Sequence, residues 1–265
     1  MALNVSPQPQ VQKRPQWPII RDTVITPVHV YAVHDMLSGL GLPTELVLYI
    51  VELAEYCPVV RTKRNEYDSV IVHARVERSA ARLYFLCPPL PETLDGRRVR
   101  KIVWTIKGGD FSDEGSPRPW QHLRERSWYD ASIFRQIELG PDRKDVTAAG
   151  GLYDVYQSPE ELWQKIRDVG WTLVPNGESC VWRIQTNTIG QRPAEPYIIE
   201  WTRHQEADAT QAMGCSTGGG ASFIEALQPG DRIGLWMRVV SPGWGNYDVN
   251  NYVISGSLEI VYGGC

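Results

Sequence analysis

The chain has 265 residues, a formal net charge of −4 and 42% hydrophobic residues. A chain of this length buries roughly 70–75% of its unfolded surface, so it needs neither a metal nor disulfides to fold. The acidic balance offers no basic patch, and no apolar run approaches the roughly 18 residues that a membrane-spanning helix requires. We therefore expect neither nucleic acid nor a membrane as a partner.

Tryptophan and tyrosine dominate the aromatic residues, with 10 Trp and 12 Tyr against 4 Phe. Both carry a polar tip on an apolar body and therefore suit pocket walls and wet interfaces. The five cysteines are widely spaced and form no C-x-x-C motif, which favours reduced thiols over a disulfide framework. The N-terminal sequence lacks the apolar segment of a secretory signal. These features predict a cytoplasmic protein.

The first 60 residues divide into a tail and a helical segment. Residues 1–20 hold four prolines among Gln and Ser, which predicts an extended tail. Within residues 21–60, apolar residues recur at helical spacing from position 29 to 40. A second helix is predicted after Thr44, which can cap it, and Pro58 lies just past its end. Its apolar stripe, which we expect to pack on the following domain, consists of Leu46, Ile50 and Leu53.

Residues 61–265 read as a β domain, because the apolar period changes to two. In the stretch RKIVWTIKGGD, for example, Ile102, Trp104 and Ile106 share one face. About seven to nine strands are predicted, and the clearest are residues 69–76, 82–86, 127–137, 180–188, 197–204, 232–240 and 252–262. No βαβ rhythm occurs. The fold class predicted is therefore mainly β, an antiparallel two-sheet β-sandwich or jelly roll.

One helix is predicted as an insertion in this domain, over residues 158–170. In SPEELWQKIRDVG, Ser158 is the expected N-cap, Pro159 the first helical residue and Glu161 the partner in a capping box. Gly170 is the expected terminator. The glycine-rich stretch at residues 214–223 is predicted to be a flexible loop.

Two pieces of the chain resemble known patterns. LPTELVLYIVEL is similar to the start of an F-box, which implies contact with a ubiquitin-ligase scaffold. A broader set of motifs, including RKIVWTIKGGD, SWYDASI, LQPGDRIGLWMRV and PGWGNYDV, resembles a group of largely uncharacterised fungal proteins over most of residues 42–262. The resemblance implies an F-box-like start followed by a β-sandwich. It supplies no catalytic residues.

Aromatic residues near loops predict a binding site. If the loops gather at one end of the sandwich, their rings line a cleft that suits a small molecule or glycan. The alternative is that the same rings close the end of the barrel by packing. Ten residues are predicted to contact a ligand: Trp104, Trp120, Trp128, Tyr129, Trp201, Trp236, Trp244, Asn246, Tyr247 and Tyr252.

Five titratable residues are candidates for acid–base catalysis. Burial among tryptophans tunes the pKa of a carboxyl group toward neutrality, as a general acid or base requires. The alternative is that these residues belong to a solvated, charge-rich loop. The candidates are Asp110, Asp130, His122, Glu200 and His204.

No cofactor or metal is expected. The histidines lack the H-x-H and H-E-x-x-H spacings of metal sites, and neither a G-x-S-x-G nor a phosphate-binding Gly-Lys-Ser/Thr motif occurs.

Three functions remain open from the sequence alone. The first is a protein that binds a small molecule or glycan among the loop aromatics. The second is a cofactor-independent enzyme of cyclase or isomerase type, of the kind found in fungal secondary metabolism, working in the same pocket. The third is an F-box-type adaptor. A homodimer is a further option for the assembly.

Overall fold

The computed structural model describes residues 25–64, 69–74, 78–91, 99–110, 126–137, 144–187, 196–203, 220–241 and 249–263. The predicted tail, residues 1–20, lies outside this range.

Two antiparallel sheets form the body of the molecule, which confirms the predicted mainly β fold of sandwich type. The first, sheet A, is built around the last strand of the chain. One edge of this strand pairs with the first two strands of the chain, and its other edge pairs with one long strand. Its strands are β1 (Val59–Arg64), β2 (Val70–Ala74), β4 (Val99–Asp110), β9 (Tyr197–Thr202) and β11 (Val249–Tyr262).

Sheet B faces sheet A. Its central strands are β5 (Ser127–Gln136) and β10 (Arg232–Val240), which pair with each other. The other strands are β3 (Ser79–Leu86), β6 (Val155–Tyr156), β7 (Trp171–Leu173) and β8 (Trp182–Thr186). The described residues thus form eleven strands, more than predicted. The strands without a clear sequence signal are short or, like β1, lie at an edge.

The space between the sheets holds the main hydrophobic core. The predicted alternation of β4 is confirmed, since Ile102, Trp104 and Ile106 are all fully buried in this core. Alternate residues of β10, from Ile233 to Val239, join them. Because side chains alternate across a strand, Trp236 faces the other way.

A second core covers the outer face of sheet B. Trp236 lies in it, and its indole nitrogen donates to Ser132 Oγ at 2.7 Å. The cover consists of the segment from a 3-10 turn (Val146–Ala148) through β6 and a helix, α3 (Glu161–Arg167), to β7. Sheet B is therefore apolar on both faces over much of its area.

Helix α3 is shorter than the predicted residues 158–170. Ser158 and Pro159 form a turn before it, and Glu161 accepts a hydrogen bond from the backbone of Gln157 instead of Ser158. The preceding Glu160 accepts a hydrogen bond from Ser179 Oγ at 3.0 Å, which ties this turn to the connection between β7 and β8. Gly170 has the positive φ, 82°, that favours glycine, but it lies three residues past Arg167, the last residue of the helix.

Part of the predicted glycine-rich loop is a helix, α4 (Gly220–Ala226). Phe223 and Ile224 are buried in the main core, so tertiary packing overrides the flexibility that the glycines predict. Gly220 is required there, since a Cβ would lie 2.6 Å from the ring of Trp201. The prediction of a flexible loop was wrong for residues 220–223.

The N-terminal helices, α1 (Pro27–Gly39) and α2 (Thr44–Leu53), form a hairpin, and the predicted buried stripe of α2 was wrong. Leu46, Ile50 and Leu53 are exposed, whereas Val47 and Val51 are buried. The exposed large apolar residues of this hairpin are Val28, Tyr31, Met36, Leu40, Leu46, Leu48, Tyr49, Ile50 and Leu53.

None of the helices within the described ranges combines the length and the hydropathy needed to cross a bilayer.

Candidate functional site

Several strand ends meet at one end of the sandwich, which we call the Asp110 end. Asp110 ends β4 and lies opposite Asn251 near the start of β11. Ser127 begins β5, and Asn187 directly follows β8. All four side chains are buried, with exposed fractions between 0% and 2%. Four buried polar residues from both sheets therefore lie together at this end.

A hydrogen-bond network joins these residues. Ser127 Oγ donates to Asp110 Oδ2 at 3.3 Å, and the amide nitrogen of Asn187 lies 3.0 Å from Ser127 Oγ. The same nitrogen lies 3.2 Å from Asn251 Oδ1. Asn251 in turn donates to the backbone carbonyls of Trp128 and Arg238, at 3.0 and 2.9 Å. Residues of sheet A are thereby bonded to residues of sheet B.

Tyr129 and Tyr252, two predicted ligand contacts, extend this network. The hydroxyl of Tyr129 donates to the backbone carbonyl of Tyr252 at 3.0 Å, again between the sheets. The close approach depends on Gly108, because a Cβ there would lie 2.2 Å from the same carbonyl oxygen and 2.6 Å from the hydroxyl. Gly108 is thus part of the site.

Burial raises the pKa of Asp110 to about 6, although the hydroxyl of Ser127 and the charge of Arg126 lower it. Its second oxygen, Oδ1, is buried without a hydrogen-bond partner among the described residues. The amide oxygen of Asn187 is also buried without a hydrogen-bond partner among the described residues. Since nearly all buried polar atoms in native proteins are hydrogen-bonded, these two acceptors are exceptions within the network.

Asp130 does not belong to this site, because it lies on the outer face of sheet B. Its carboxylate binds Arg183 Nε at 2.9 Å, Arg238 Nη1 at 3.2 Å and the indole nitrogen of Trp128 at 2.8 Å. Burial raises the pKa of Asp130, and the two guanidinium groups counteract that shift. Both carboxylate oxygens have donors, so the arrangement is that of a structural ion cluster.

Trp128 packs within this outer cluster. The guanidinium carbons of Arg183 and Arg238 lie 4.4 and 5.4 Å from its ring centroid, a cation–π arrangement. Its ring therefore faces away from the Asp110 end, although its backbone carbonyl takes part in the network there.

Trp104 and Trp201 pack in the main core. Their rings meet edge to face at 5.5 Å, and Phe223 lies 5.1 Å from Trp201. Both are essentially unexposed. Trp104, Trp201 and Trp236 are thus buried among other side chains of the described structure.

Glu200 is exposed on the outer face of sheet A, 3.8 Å from Lys101 Nζ. It pairs in register with Val103, seven residues along β4 from Asp110, or about 23 Å. The structure therefore does not bring Glu200 and Asp110 into one site.

Six predicted site residues lie outside the described residues. Five of them belong to the connections 111–125 and 242–248, whose flanking strand ends lie at the Asp110 end: Trp120, His122, Trp244, Asn246 and Tyr247. The sixth, His204, directly follows Arg203 in the sequence.

Sequence analysis missed Ser127, Asn187 and Asn251. A signal was present for Asn251, because it shares a strand face with the buried Val253 and is therefore a polar residue at a core-facing position. Asn187 had no such signal, since it follows the end of a strand.

No group of three or more His, Cys, Asp or Glu side chains that could hold a metal ion occurs in the described part of the chain.

The role of the inter-sheet network can be measured with neighbouring asparagines of β11. Asn251→Ala should lower the free energy of unfolding, because each buried group left without a partner costs about 1–3 kcal/mol. Asn250→Ala is the matched control, since Asn250 contacts His73 at an exposed position. We expect a change within about 0.5 kcal/mol for the control in urea unfolding. Equal effects of the two variants would contradict a buried role for Asn251.

The raised pKa of Asp110 predicts a pH-dependent loss of stability. Between the ordinary pKa of 3.8 and about 6, the native state keeps a proton that the unfolded state releases, so stability falls as pH rises. Asp110→Asn has no carboxyl group at this position, so it lacks the cost of ionising one in the folded state. The variant should gain about 3 kcal/mol relative to wild type between pH 4 and 7, measured by chemical unfolding. If the free energies of unfolding of wild type and Asp110→Asn change in parallel between pH 4 and 7, the raised pKa of Asp110 is disproved.

No protein-family model matches this chain, and no curated protein matches its sequence significantly.

Proposed function

We propose that the protein binds a small molecule or glycan at the Asp110 end of the sandwich. The observation that carries the proposal is the buried network of Asp110, Ser127, Asn187 and Asn251, in which two acceptor oxygens are unmatched. Binding sites commonly combine a few fixed polar groups with aromatic walls. A network that joins both sheets supplies such fixed groups.

The aromatic walls would come from the chain connections at the same end. Segments 111–125 and 242–248 contain Trp120, Trp244 and Tyr247, and their flanking residues lie beside the network. Tyr252 is partly exposed on β11, and by strand alternation its ring lies on the outer face of sheet A. The tryptophans of the two cores are left out of this proposal because they are enclosed by other side chains.

Trp244 and Trp120 provide the direct test of binding. A ligand that binds only the folded state raises the apparent melting temperature with the logarithm of its concentration. In a thermal-shift screen of small metabolites and oligosaccharides, we expect at least one ligand for wild type and a lost shift for Trp244→Ala and Trp120→Ala. Trp163→Ala, at a partly buried ring on α3, is the control and should retain the shift. Binding unaffected by both test variants would refute a site at this end.

An enzymatic role is the second candidate, and Asp110 favours it. A carboxyl group with a pKa of about 6 is suited to proton transfer near neutral pH, and its Oδ1 is not engaged by another described residue. A cofactor-independent cyclisation or isomerisation would need only such a group and an oriented substrate. Asp130 and Glu200 do not share this arrangement.

The pH profile of turnover distinguishes catalysis from binding. If Asp110 is a general base, kcat/KM should rise as pH increases through about 6, because only the ionised form accepts a proton. Asp110→Asn should lose most of the activity and also the rise of kcat/KM with pH. Glu200→Gln should keep the activity and the pH dependence of wild type. Retained activity in Asp110→Asn would remove Asp110 from the mechanism.

The F-box-like hairpin supports a third, separate role in contacts with another protein chain. Its nine exposed large apolar side chains exceed what isolated surface positions explain. A ubiquitin-ligase scaffold or a second copy of the chain would each cover such a surface. We further propose a cytoplasmic location, consistent with the free, buried thiols of Cys57, Cys87 and Cys180.

A further inference from the structure

The directions of the hydrogen bonds in the network are set by two backbone carbonyls. Carbonyl oxygens only accept, so the amide nitrogen of Asn251 must face those of Trp128 and Arg238. Both amide hydrogens of Asn251 are then used. Its oxygen is left to accept from Asn187 at 3.2 Å.

The same argument fixes the next two residues. The amide nitrogen of Asn187 donates to Asn251 Oδ1 and to Ser127 Oγ, and the hydroxyl of Tyr129 bonds to the same amide group. Because Ser127 Oγ accepts from Asn187, its own hydrogen is directed to Asp110 Oδ2. No side-chain donor of the four residues remains unused.

Among the side chains of these four residues, the two atoms left over are acceptors. Asp110 Oδ1 and Asn187 Oδ1 are buried and have no partner among the described residues. Their side chains bond the same hydroxyl, that of Ser127, so they belong to one neighbourhood. A ligand at this point must therefore present hydrogen-bond donors.

The charges around Asp110 favour a neutral ligand over a cation. Arg126 acts on the carboxylate as an opposite charge, so the pair is close to neutral overall. Within the described residues, the phenols of Tyr197 and Tyr252 are the further titratable groups that act on the neighbouring Tyr129. An anionic ligand is disfavoured by the Asp110 carboxylate and by the two unmatched acceptors, and only the guanidinium of Arg126 opposes this effect.

We propose that the Asp110 end recognises a neutral polyhydroxylated ligand, such as a sugar or a polyol, whose hydroxyl groups donate to Asp110 Oδ1 and Asn187 Oδ1. This inference rests on the proposed binding function and names its ligand class. Asp110 and Asn187 are the specificity-determining residues, while Ser127 and Asn251 position them.

A panel of three ligand classes tests the inference on the full chain. The neutral probes are the methyl glycosides of glucose, galactose, mannose and xylose, and myo-inositol; the cationic probes are choline and spermidine; the anionic probes are citrate and glucuronate. Binding is followed by the NMR signals of the Asn187 and Asn251 side-chain amides. We expect at least one neutral probe to shift them, and neither charged class to do so.

The bound probe then identifies the contact with Asp110. Asp110→Asn replaces one acceptor by an amide group and should weaken binding at least about tenfold, the effect of one lost hydrogen bond to a charged group. Glu200→Gln is the control and should bind like wild type. A deoxy derivative of the probe that lacks the contacting hydroxyl should bind wild type about tenfold more weakly than the probe does. To Asp110→Asn, the derivative and the probe should bind with nearly the same affinity. A structural role alone would not produce this difference between derivatives.

The outcomes separate the two proposals. If only cationic or anionic probes shift the Asn187 signal, the polyol inference is wrong and the binding function stands. If a neutral probe binds but Asp110→Asn and the deoxy derivatives bind equally well, the assigned contacts are wrong. If no probe of any class shifts the signal, the inference of a polyol site fails, and the wider metabolite screen with the Trp244 variant decides the binding function independently.

Discussion

The hydrogen bonds of Asn251 are the constraint on which the architecture of the Asp110 end depends. Two β-sheets packed through apolar side chains are held by forces with little directionality, which leave their relative position weakly specified. Asn251 is fully buried on sheet A and bonds to two backbone carbonyls of sheet B. Because leaving such bonds unmade is costly, the sheets meet here in one arrangement. That arrangement places Asp110 beside Ser127 and Asn187.

Asp110 shows how a stabilising network and a functional site can share residues. One carboxylate oxygen serves the link between the sheets through Ser127, and the other is unmatched within the described structure. Asp130, by contrast, is equally buried but has donors on both oxygens. The difference lies in the partners and not in burial, so burial alone would not have distinguished a candidate site from an ion cluster.

The sequence predicted the regular parts of the fold because their apolar period is unbroken. Residues 232–240 and 102–106 alternate cleanly, and the structure buries the predicted faces. Prediction failed where tertiary contacts decide, as in α4, whose glycines suggested a loop, and in α2, whose buried face is Val47 and Val51. Among the site residues, Asp110 was predicted from its loop and pKa argument. Asn187 was not, because its role depends on a neighbour 64 positions away in the chain.

The surface of the N-terminal hairpin has a consequence for the behaviour of the protein in solution. Between residues 25 and 58 the chain has four acidic residues and neither lysine nor arginine, beside nine exposed large apolar side chains. Glu52 is paired with Arg100. Mutual repulsion of the other three carboxylates opposes the contact of two such surfaces, and dissolved ions weaken that repulsion beyond about 10 Å at 0.1 M. Added salt thus weakens the electrostatic repulsion and leaves the apolar attraction unchanged. Low ionic strength is therefore the condition that favours the monomer.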